Sequence, residues 1–506
     1  MVATALDVGP TTPTTPTKPK PIPTLSGGRL FTGHIKEMAQ APLALVTRVR
    51  EELGDVGAVD VFWKKIIVVS DPEAVERILV ENVRNYTKQT RGYAQLRRVF
   101  GNGLVTSEGS FWLRQRRIAQ PAFHREKLGK LSQAMVRDTA DTLAAMASKT
   151  GTAFDFSYDM MKLTMRIIGE VLFSVDVSGD SDVAGQAINE LVHQLMRRTV
   201  SLNAPAFVPT AMNRRFAKAK DDVEDLVMRV IRARRDGKSE GDDLMSMLLD
   251  MVDEETGERM TDEQLKDEVI TLFSAGHETT SMAVSWTLHA LLDHPAILER
   301  LLAEIDAGPL TVERLMRMPY LDAVLKESFR LYPPIWMVAR YAEADDVLAG
   351  HRVKKGQMLF VSQWAVHRSP KLWHEPLKFD PSRFLVEDPS RAKYAYFPFL
   401  GGPRKCIGDQ LAILEAKIIL ATLLSKLTFT REPGHPVVPD PAISLRFKHG
   451  LWVNAAPRAT ATTAPSDEVP TVPEHDHVVA SPSPSLTPPS SSSSSSQHAA
   501  GKCPFH

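Results

Sequence analysis

A short loop near residue 406 contains the residue with the clearest potential for chemistry, a cysteine. The loop runs from Phe399 to Gly408, with two cations directly before Cys406 and a helical apolar pattern after Gly408. A cysteine at the start of a helix lies near unpaired backbone N–H groups and the positive end of the helix dipole. Arg404 and Lys405 add positive charge, so the sequence predicts a stabilised thiolate at Cys406. A thiolate of this kind suits a soft or borderline metal.

The spacing within this loop, Phe-x-x-Gly-x-Arg-x-Cys-x-Gly, makes a metal-ligand role more specific. A lone cysteine is more often a small buried apolar residue than a ligand. Here five positions are defined, at Phe399, Gly402, Arg404, Cys406 and Gly408. We expect the two glycines to allow close backbone approach and unusual dihedral angles beside the sulfur. The arginine can pair with an anionic group such as a propionate.

A second reactive set lies in the middle of the longest predicted helix, which extends from about Thr261 to Asp293. Its centre, residues 275–280, reads Ala-Gly-His-Glu-Thr-Thr. Glycine and paired threonines are poor helix formers, and a buried acid is costly without a partner. A long helix weakened at its centre usually has a local reason. Glu278 and Thr279 form an acid–alcohol pair that can supply protons to a reaction.

Two further pairs are spaced to share one helix face. Trp112 and Arg116 are four residues apart, so both can reach the same carboxylate. Glu327 and Arg330 are three apart, on a helix that ends at a proline pair. On spacing alone, this second pair is an ordinary surface ion pair worth only a few tenths of a kcal/mol.

Together these motifs resemble the cytochrome P-450 superfamily, in its soluble bacterial type. The cysteine loop has the family's cysteine-ligand pattern, and the resemblance covers nearly all of the predicted ordered part. Ser382 stands where many members have glutamate, but the neighbouring arginine is the functional position. Four further landmarks lie upstream in family order: Trp-x-x-x-Arg at 112–116, the oxygen-activation segment at 275–279, Glu-x-x-Arg at 327–330 and Pro-x-Arg-Phe at 381–384.

The resemblance implies haem b (iron protoporphyrin IX) as the cofactor, with Cys406 as the axial ligand of its iron. It also implies a set of contacts to the haem propionates. These predicted contacts are Trp112, Arg116, Arg340 and Arg404. The resemblance further implies a buried network of Glu327, Arg330 and Arg383 that supports the cysteine loop and haem retention.

On the opposite face of the haem, the resemblance implies roles for three residues of the long helix. Ala275 leaves space above the iron. The Thr279 hydroxyl donates a hydrogen bond to the oxygen being activated, and Glu278 connects that site to solvent. The alternative for Thr279 is a helix kink stabilised by a hydrogen bond from its hydroxyl to the helix backbone. The apolar run from Pro334 to Val338 is predicted to line the substrate pocket.

Other candidate groups have simpler interpretations. His277 is predicted to turn away from the haem, and His367 and His374 lie in a stretch that resembles family surface structure. Cys503 is predicted to be a free thiol in a tail. A basic patch for an acidic electron donor, or merely a solvated face, is predicted at Arg114, Arg117, Arg125, Lys127 and Lys130.

The elements that must position these groups are mostly helices. Predicted helices cover about 109–120, 127–148, 156–174, 183–199, 210–236 and 241–252. Predicted strands are a hairpin at 59–62 and 66–69, and later strands at 358–361 and 445–448. The expected fold class is therefore mainly α with a minor β region, with the long helix crossing over the haem.

Length and composition bound the remaining possibilities. The chain has 506 residues and balanced charge, with 61 basic and 61 acidic residues, which gives no overall attraction to nucleic acid. Two cysteines exclude a disulfide framework and a four-cysteine metal site. We predict a haem domain at 27–456 between disordered tails, Thr/Pro-rich at 1–26 and Pro/Ser-rich at 457–506. No run of about 18 apolar residues is present, so we expect no membrane anchor and a cytoplasmic location.

The predicted activity is a monooxygenase that inserts one atom of dioxygen into a small hydrophobic substrate, such as a fatty acid, a terpenoid or a steroid-like molecule. Electrons are expected from a ferredoxin or flavodoxin with an NAD(P)H-dependent reductase. Two alternatives remain open: a peroxide-driven haem-thiolate enzyme, which would not need the Glu278–Thr279 pair, and a haem-binding sensor without catalysis.

Overall fold

The computed structural model describes residues 18–173, 208, 210–237 and 243–458, without the side chains of 125–128 and 130. The predicted helix at 183–199, the C-terminal tail beyond 458, residues 1–17 and Cys503 lie outside the described residues. The described helices are α1 (Ile35–Gln40), α2 (Pro42–Leu53), α3 (Pro72–Glu76), α4 (Arg91–Phe100), α5 (Gly109–Ala119), α6 (Arg125–Ala147), α7 (Phe156–Phe173), α8 (Ala211–Arg235), α9 (Leu244–Asp250), α10 (Asp262–Leu292), α11 (Pro295–Asp306), α12 (Val312–Met316), α13 (Pro319–Leu331), α14 (Gln363–Val366) and α15 (Asp409–Lys426).

The strands are short and form a minor part of the described chain. They are β1 (Val56–Val61), β2 (Lys64–Val69), β3 (Tyr86–Thr87), β4 (Phe154–Asp155), β5 (Val338–Ala342), β6 (Asp346–Leu348), β7 (His351–Val353), β8 (Met358–Val361), β9 (Leu427–Arg431), β10 (Pro439–Pro441), β11 (Leu445–Phe447) and β12 (Trp452–Pro457). The largest sheet has the order β1-β2-β8-β5-β3, with only β2 and β8 parallel. A second sheet joins β4, β12 and β9, and two-strand ladders join β6 to β7 and β10 to β11. The predicted fold class, mainly α with a minor β region, is confirmed.

Helix α10 is the central element of the helical core, because most of its residues are buried and it packs against α7, α8, α13 and α15. The predicted capping box at its start is present: the Thr261 hydroxyl accepts from the Gln264 N–H, and the Gln264 side chain accepts from the Thr261 N–H. The helix runs without a break through residues 275–280, so its weak helix formers do not interrupt it. Burial on all sides outweighs their low propensity.

A stack of aromatic rings fixes strand β11 against α10. The Trp286 ring lies 3.9 Å from Phe447 and 4.6 Å from Tyr332, measured between ring centroids. Its indole N–H donates to the Leu445 carbonyl at 2.8 Å. This packing places β11, and the residues just before it, along the side of α10 that carries Glu278.

The expected start of the folded part at residue 27 is too late. Thr24 forms a β-bridge with Ala58, and the Leu25 N–H donates to the Ala58 carbonyl at 2.8 Å. The Leu25 side chain is buried. The proline-rich sequence around Leu25 favours an extended backbone. An extended segment can add to the edge of a sheet, as residues 24 and 25 do here, and need not remain free in solution.

No helix within the described ranges is long and apolar enough to cross a membrane.

Candidate functional site

The cysteine loop is held in a fixed path by its own backbone. The Cys406 N–H donates to the Phe399 carbonyl at 2.9 Å, and the Phe399 ring packs edge-to-face on Phe329, with centroids 5.7 Å apart. Gly402 has φ +64°, and a Cβ there would lie 2.2 Å from the Leu79 carbonyl oxygen. This position therefore needs glycine.

The expectation for Gly408 is wrong in one respect. Its φ is −96°, and a Cβ would meet only the edge of Phe123 at an ordinary 3.8 Å. The contribution of this residue is its N–H, which hydrogen-bonds the Cys406 sulfur. Gly408 is also the residue directly before α15, so the sulfur lies at the start of that helix as predicted.

The protein charges do not by themselves stabilise a thiolate at Cys406. The sulfur is accessible, yet enough protein surrounds it that desolvation raises the pKa of the thiol. The Gly408 N–H, Arg116 and Lys405 oppose that rise, while the nearby Asp409 adds to it. The prediction that local cations suffice is therefore not supported, because desolvation is the largest influence on this thiol and it favours the neutral form.

The predicted propionate contacts on α5 and in the loop come together. The Arg404 guanidinium lies 3.6 Å from the centroid of the Trp112 ring and donates to the Ser107 carbonyl and to Glu108. Arg116 donates to the Lys405 carbonyl at 2.9 Å, which ties α5 to the cysteine loop. Burial lowers the pKa of Arg404 to about 10, with Glu108 acting against that shift.

Two cations that the sequence did not indicate join this group. The buried Lys88 ammonium donates to the carbonyls of Leu104 and Val105, and burial lowers its pKa well below the usual value, with help from Arg404 and Arg340. Arg97 donates to the Thr106 carbonyl at 2.8 Å and also acts on Lys88. Neither residue lies in a recognisable motif.

Arg340 completes the cation cluster from strand β5. Its side chain is buried and donates to the Ala339 carbonyl at 2.9 Å and to the Tyr93 hydroxyl at 3.5 Å. No carboxylate pairs with it among the described residues. Lys88 and Arg340 are buried, Arg404 is partly buried and Arg97 is exposed, while Glu108 pairs with Arg404 and acts on Lys88. An excess of positive charge of this kind fits a dianionic group such as two propionates.

On α10, the accessible face coincides with the predicted oxygen-activation segment. Ala275 is exposed and Thr279 is half-buried, whereas the turns on both sides of this segment are buried. This part of the helix therefore faces a cleft. The Thr279 hydroxyl donates to the Ala275 carbonyl at 2.7 Å, so the backbone-bonded alternative for this threonine is the arrangement present. A reacting group in the cleft would compete with that carbonyl for the same proton.

Glu278 has a partner that the sequence did not reveal. Its carboxylate accepts from the Ser444 hydroxyl at 2.5 Å and from the Arg446 Nε, both at the start of β11. Burial would raise the pKa of Glu278, but the hydrogen bond and charge of Arg446 outweigh burial and lower it. Glu278 itself is buried and Arg446 is partly exposed, so the predicted connection from Glu278 to solvent would pass through Arg446.

A second buried acid links the two halves of the site. Glu415, on the helix that follows Cys406, hydrogen-bonds Thr280 beside Thr279. One of its oxygens has no protein partner among the described residues. Burial raises its pKa well above the usual value, which favours the neutral form.

The structure brings Glu327, Arg330 and Arg383 together. Glu327 accepts two hydrogen bonds of 2.8 Å from Arg330 and lies 3.4 Å from the Arg383 Nε. Arg330 also donates to the carbonyls of His367, Pro376 and Lys378, on the segment leading to the cysteine loop. This is a buried network and not the surface pair that spacing alone suggested.

The other candidates are placed as follows. His277 is buried, with its Nδ1 2.9 Å from the Phe273 carbonyl of its own helix. His374 is exposed, but His367 is fully buried and accepts from the Phe397 N–H at 3.1 Å, so its assignment to the surface is wrong. Burial, Arg330 and Arg368 lower the pKa of His367 to about 3, which keeps it neutral.

The predicted basic patch is largely neutralised where it is described. Arg114 pairs with Glu258, and Arg117 pairs with Asp253 and Glu255. The side chains of Arg125, Lys127 and Lys130 are outside the described part. The run at 334–338 is also only partly as expected, because Trp336 and Val338 are buried in the core and only its other members remain partly accessible.

Comparison with known proteins agrees with this arrangement. The family description "Cytochrome P450" matches residues 23–448. The chain is 33% identical to cyclooctat-9-en-7-ol 5-monooxygenase of Streptomyces melanosporofaciens, over 84% of this chain and 94% of that protein. It is 32% identical to pentalenene oxygenase of Streptomyces avermitilis, over 82% and 93%. The crystal structure of the cytochrome P450DA heme domain superposes with a TM-score of 0.80 at 28% identity, over 87% of this chain and 99% of that one.

Proposed function

The chain belongs to the cytochrome P450 family and is a monooxygenase, and on this basis we propose that it oxidises a terpenoid substrate. Two of its relatives, cyclooctat-9-en-7-ol 5-monooxygenase and pentalenene oxygenase, modify terpenoids. These relatives carry the substrate proposal, while the accessible Ala275–Thr279 face of α10 supports the monooxygenase assignment, because it presents an alcohol beside a small side chain in an otherwise buried part of the helix. Fatty acids and steroid-like molecules are the other hydrophobic classes to be tested.

The residues present fit haem b. In this proposal, Cys406 ligates the iron, while Trp112, Arg116, Arg340 and Arg404 contact the propionates. Lys88 and Arg97 add to that cationic group. When bound, haem supplies the reductive activation of dioxygen and the transfer of one oxygen atom to the substrate.

The chain's own contribution on the α10 side is proton supply. The Thr279 hydroxyl exchanges its hydrogen bond to the Ala275 carbonyl for one to a group in the cleft. Glu278 stays ionised because Arg446 lowers its pKa, so it is ready to accept a proton and pass it on. Desolvation around Glu278 strengthens its interaction with Arg446 and holds the carboxylate in place.

We further propose that electrons come from a ferredoxin or flavodoxin with an NAD(P)H-dependent reductase, and that the enzyme works in the cytoplasm. A reducing compartment keeps the Cys406 thiol free for ligation. Arg114 and Arg117 already pair with acids, so they are less available to bind an acidic redox partner. We therefore propose that the redox partner docks on other cations.

Two measurements test the assignment. The reduced carbon-monoxide complex should show the red-shifted Soret band of thiolate ligation, and Cys406→Ser should abolish that shift. Product formation should require NAD(P)H with redox partners and should be much weaker with peroxide alone. Product formation driven by peroxide at an equal rate would favour the peroxide-driven alternative, and haem binding without any turnover would favour the sensor.

Substrate class is tested separately by a ligand screen that follows the spin-state shift of the Soret band. Cyclic terpenoids should shift the band at lower concentrations than fatty acids or steroids of similar size. A stronger response to either of those classes would replace the terpenoid proposal and leave the monooxygenase assignment intact.

A further inference from the structure

Two neighbouring turns at the N-terminal sheet carry large apolar side chains that are exposed. These are Leu30 and Phe31 in one turn, and Phe62 and Trp63 in the other, with exposed fractions of 91%, 83%, 42% and 86%. We call these four residues the tip cluster. The Phe62 and Trp63 rings lie 5.6 Å apart.

The backbone places the two turns side by side. Arg29 pairs with Gly33, Gly33 pairs with Val61, and Val61 pairs with Lys64, so adjacent strands lie at about 4.8 Å. Gly33 has φ +57°, and a Cβ there would lie 2.1 Å from the Asp60 carbonyl oxygen. The close approach of the two turns therefore depends on this glycine, and it merges four separate side chains into one apolar surface.

The residues of the second turn are unfavourable for its backbone conformation. Phe62 and Trp63 form the two-residue loop between β1 and β2, in which the first residue has a positive φ, where glycine or asparagine is favoured. Phe62 has φ +54°, which is strained for a bulky side chain. Exposed aromatic rings also bury little surface within the fold. Neither turn chemistry nor core packing accounts for these residues, which leaves contact with an external partner.

Charge around the cluster identifies the partner. Arg29, Lys64 and Lys65 flank the tips and are exposed, while one acid, Asp60, lies 4.0 Å from Lys65. Aromatic rings at a protruding tip with cations beside them match the water–lipid interface, where rings lie at headgroup level and cations meet anionic lipids. Four side chains on a convex tip provide much less than the roughly 800 Å² per partner of a stable protein interface.

We propose that the tip cluster inserts into the headgroup region of an anionic lipid bilayer and docks the enzyme at the membrane surface. This contact is peripheral and involves no spanning helix. It does not depend on the identity of the substrate or of the redox partner.

The test uses the full-length, haem-loaded protein in a vesicle flotation assay. Vesicles of phosphatidylcholine with about 30% phosphatidylglycerol should bind the protein, and phosphatidylcholine alone should bind it more weakly. The variant Phe62→Asn/Trp63→Gly should reduce binding about tenfold or more, since it removes both rings. Asparagine tolerates the positive φ at position 62 better than phenylalanine does, so this variant is expected to fold at least as well as the natural protein.

Two further variants separate the apolar and charged contributions. Lys64→Gln/Lys65→Gln should weaken binding to the anionic vesicles and reduce its salt dependence. Leu377→Asn is the matched control, because this exposed leucine lies outside the cluster, and its binding should equal that of the natural protein. The Soret band confirms that every variant retains haem.

Three results would overturn the proposal. The natural protein fails to bind anionic vesicles, or the Phe62→Asn/Trp63→Gly variant binds them as well as the natural protein does. The third is self-association without lipid that the same variant abolishes, which would assign the cluster to a second copy of the chain.

Discussion

Glu327 and Glu278 are both buried carboxylates that face arginine, yet their surroundings differ. The side chains of Glu327 and Arg330 both have exposed fractions of 0%, and Glu327 also accepts from the Asp380 N–H. Glu278 is bound by Ser444 and by Arg446, whose side chain has an exposed fraction of 27%. The first pair is closed on all sides, and the second opens to solvent through its arginine.

The difference separates a structural role from a functional one. Arg330 fixes three backbone carbonyls on the segment before the cysteine loop, so the closed pair determines chain path. Glu278 directly precedes Thr279, which lies on the accessible face of α10, so we propose that the open pair acts on a group beside the cleft. We therefore expect damage to the closed pair to reduce stability and damage to the open pair to reduce coupling of electron use to product.

The largest loss of stability is expected from Glu327→Gln. The substitution leaves the guanidinium groups of Arg330 and Arg383 in a buried site without a carboxylate, which should cost about 3–5 kcal/mol in the free energy of unfolding. Urea denaturation measures this loss. Asp222→Asn is the control, because it breaks an exposed ion pair with Lys218 and should cost at most about 1 kcal/mol. Equal losses in the two variants would show that the Glu327 pair is not structurally special.

The substitution Arg446→Met is expected to cause a smaller loss of stability. It should also change how the coupling of electron use to product formation depends on pH. Removing the guanidinium leaves burial unopposed, so the pKa of Glu278 rises from its lowered value. In the natural protein Glu278 is ionised across about pH 5–8, whereas in the variant it is protonated at the lower end of that range.

The measurement for Arg446→Met is product formed per NAD(P)H oxidised as a function of pH. The acid limb should move upward by about one pH unit or more. Arg458→Met is the control, because that arginine pairs with Asp306 away from the site. A profile for Arg446→Met that matches the control would mean that Glu278 is not part of proton supply.

Little loss of stability, with a several-fold fall in coupling, is expected from Thr279→Ala. The bond removed from the ground state is a local one to the Ala275 carbonyl, worth about 1 kcal/mol or less. Thr287→Ala is a matched control on the same helix, because Thr287 makes the equivalent 2.7 Å bond to the Ala283 carbonyl in a fully buried position. If both variants retain the natural ratio of product to NAD(P)H, the role proposed for Thr279 fails.

The smallest effect is expected from Glu415→Gln, because the raised pKa of Glu415 favours its neutral form, which glutamine resembles. The raised pKa means that the folded state binds a proton that the unfolded state releases, so the natural protein loses stability as pH rises above about 4.3. Glutamine has no such proton. Urea denaturation should therefore show that the free energy of unfolding of the variant increases relative to that of the natural protein between about pH 5 and 8. A stability difference that does not change with pH would indicate an ionised Glu415.

Several features of the fold and site were predictable because they are local. The capping box at Thr261 and Gln264 involves residues three apart, and strand Met358–Val361 lies within a short apolar run between turn residues. The start of α15 directly after Gly408 follows from the apolar period beyond the cysteine loop. Such signals are carried by neighbours in sequence, so one chain is sufficient to read them.

The residues that the sequence did not indicate all act through long-range contacts. Arg446 meets Glu278 across 168 positions, and Lys88 meets the Arg404 group although no motif marks it. His367 was predicted to lie at the surface because its stretch resembles family surface structure, but it lies in the core. Local pattern gives burial only for regular elements, and residues 367–400 are mostly irregular.

The sequence alone determined the mainly helical class and the family resemblance, and it predicted the roles of the cysteine loop and the acid–alcohol pair, since each depends on residue type and short spacing. Only the tertiary structure decided which charges are paired. It placed Arg446 beside Glu278 and placed no basic side chain of the described residues beside Glu415. It also brought four cations and one acid, Glu108, together beside the cysteine loop. The free energy of a buried charge depends on what surrounds it in space, and residues distant in sequence supply those surroundings.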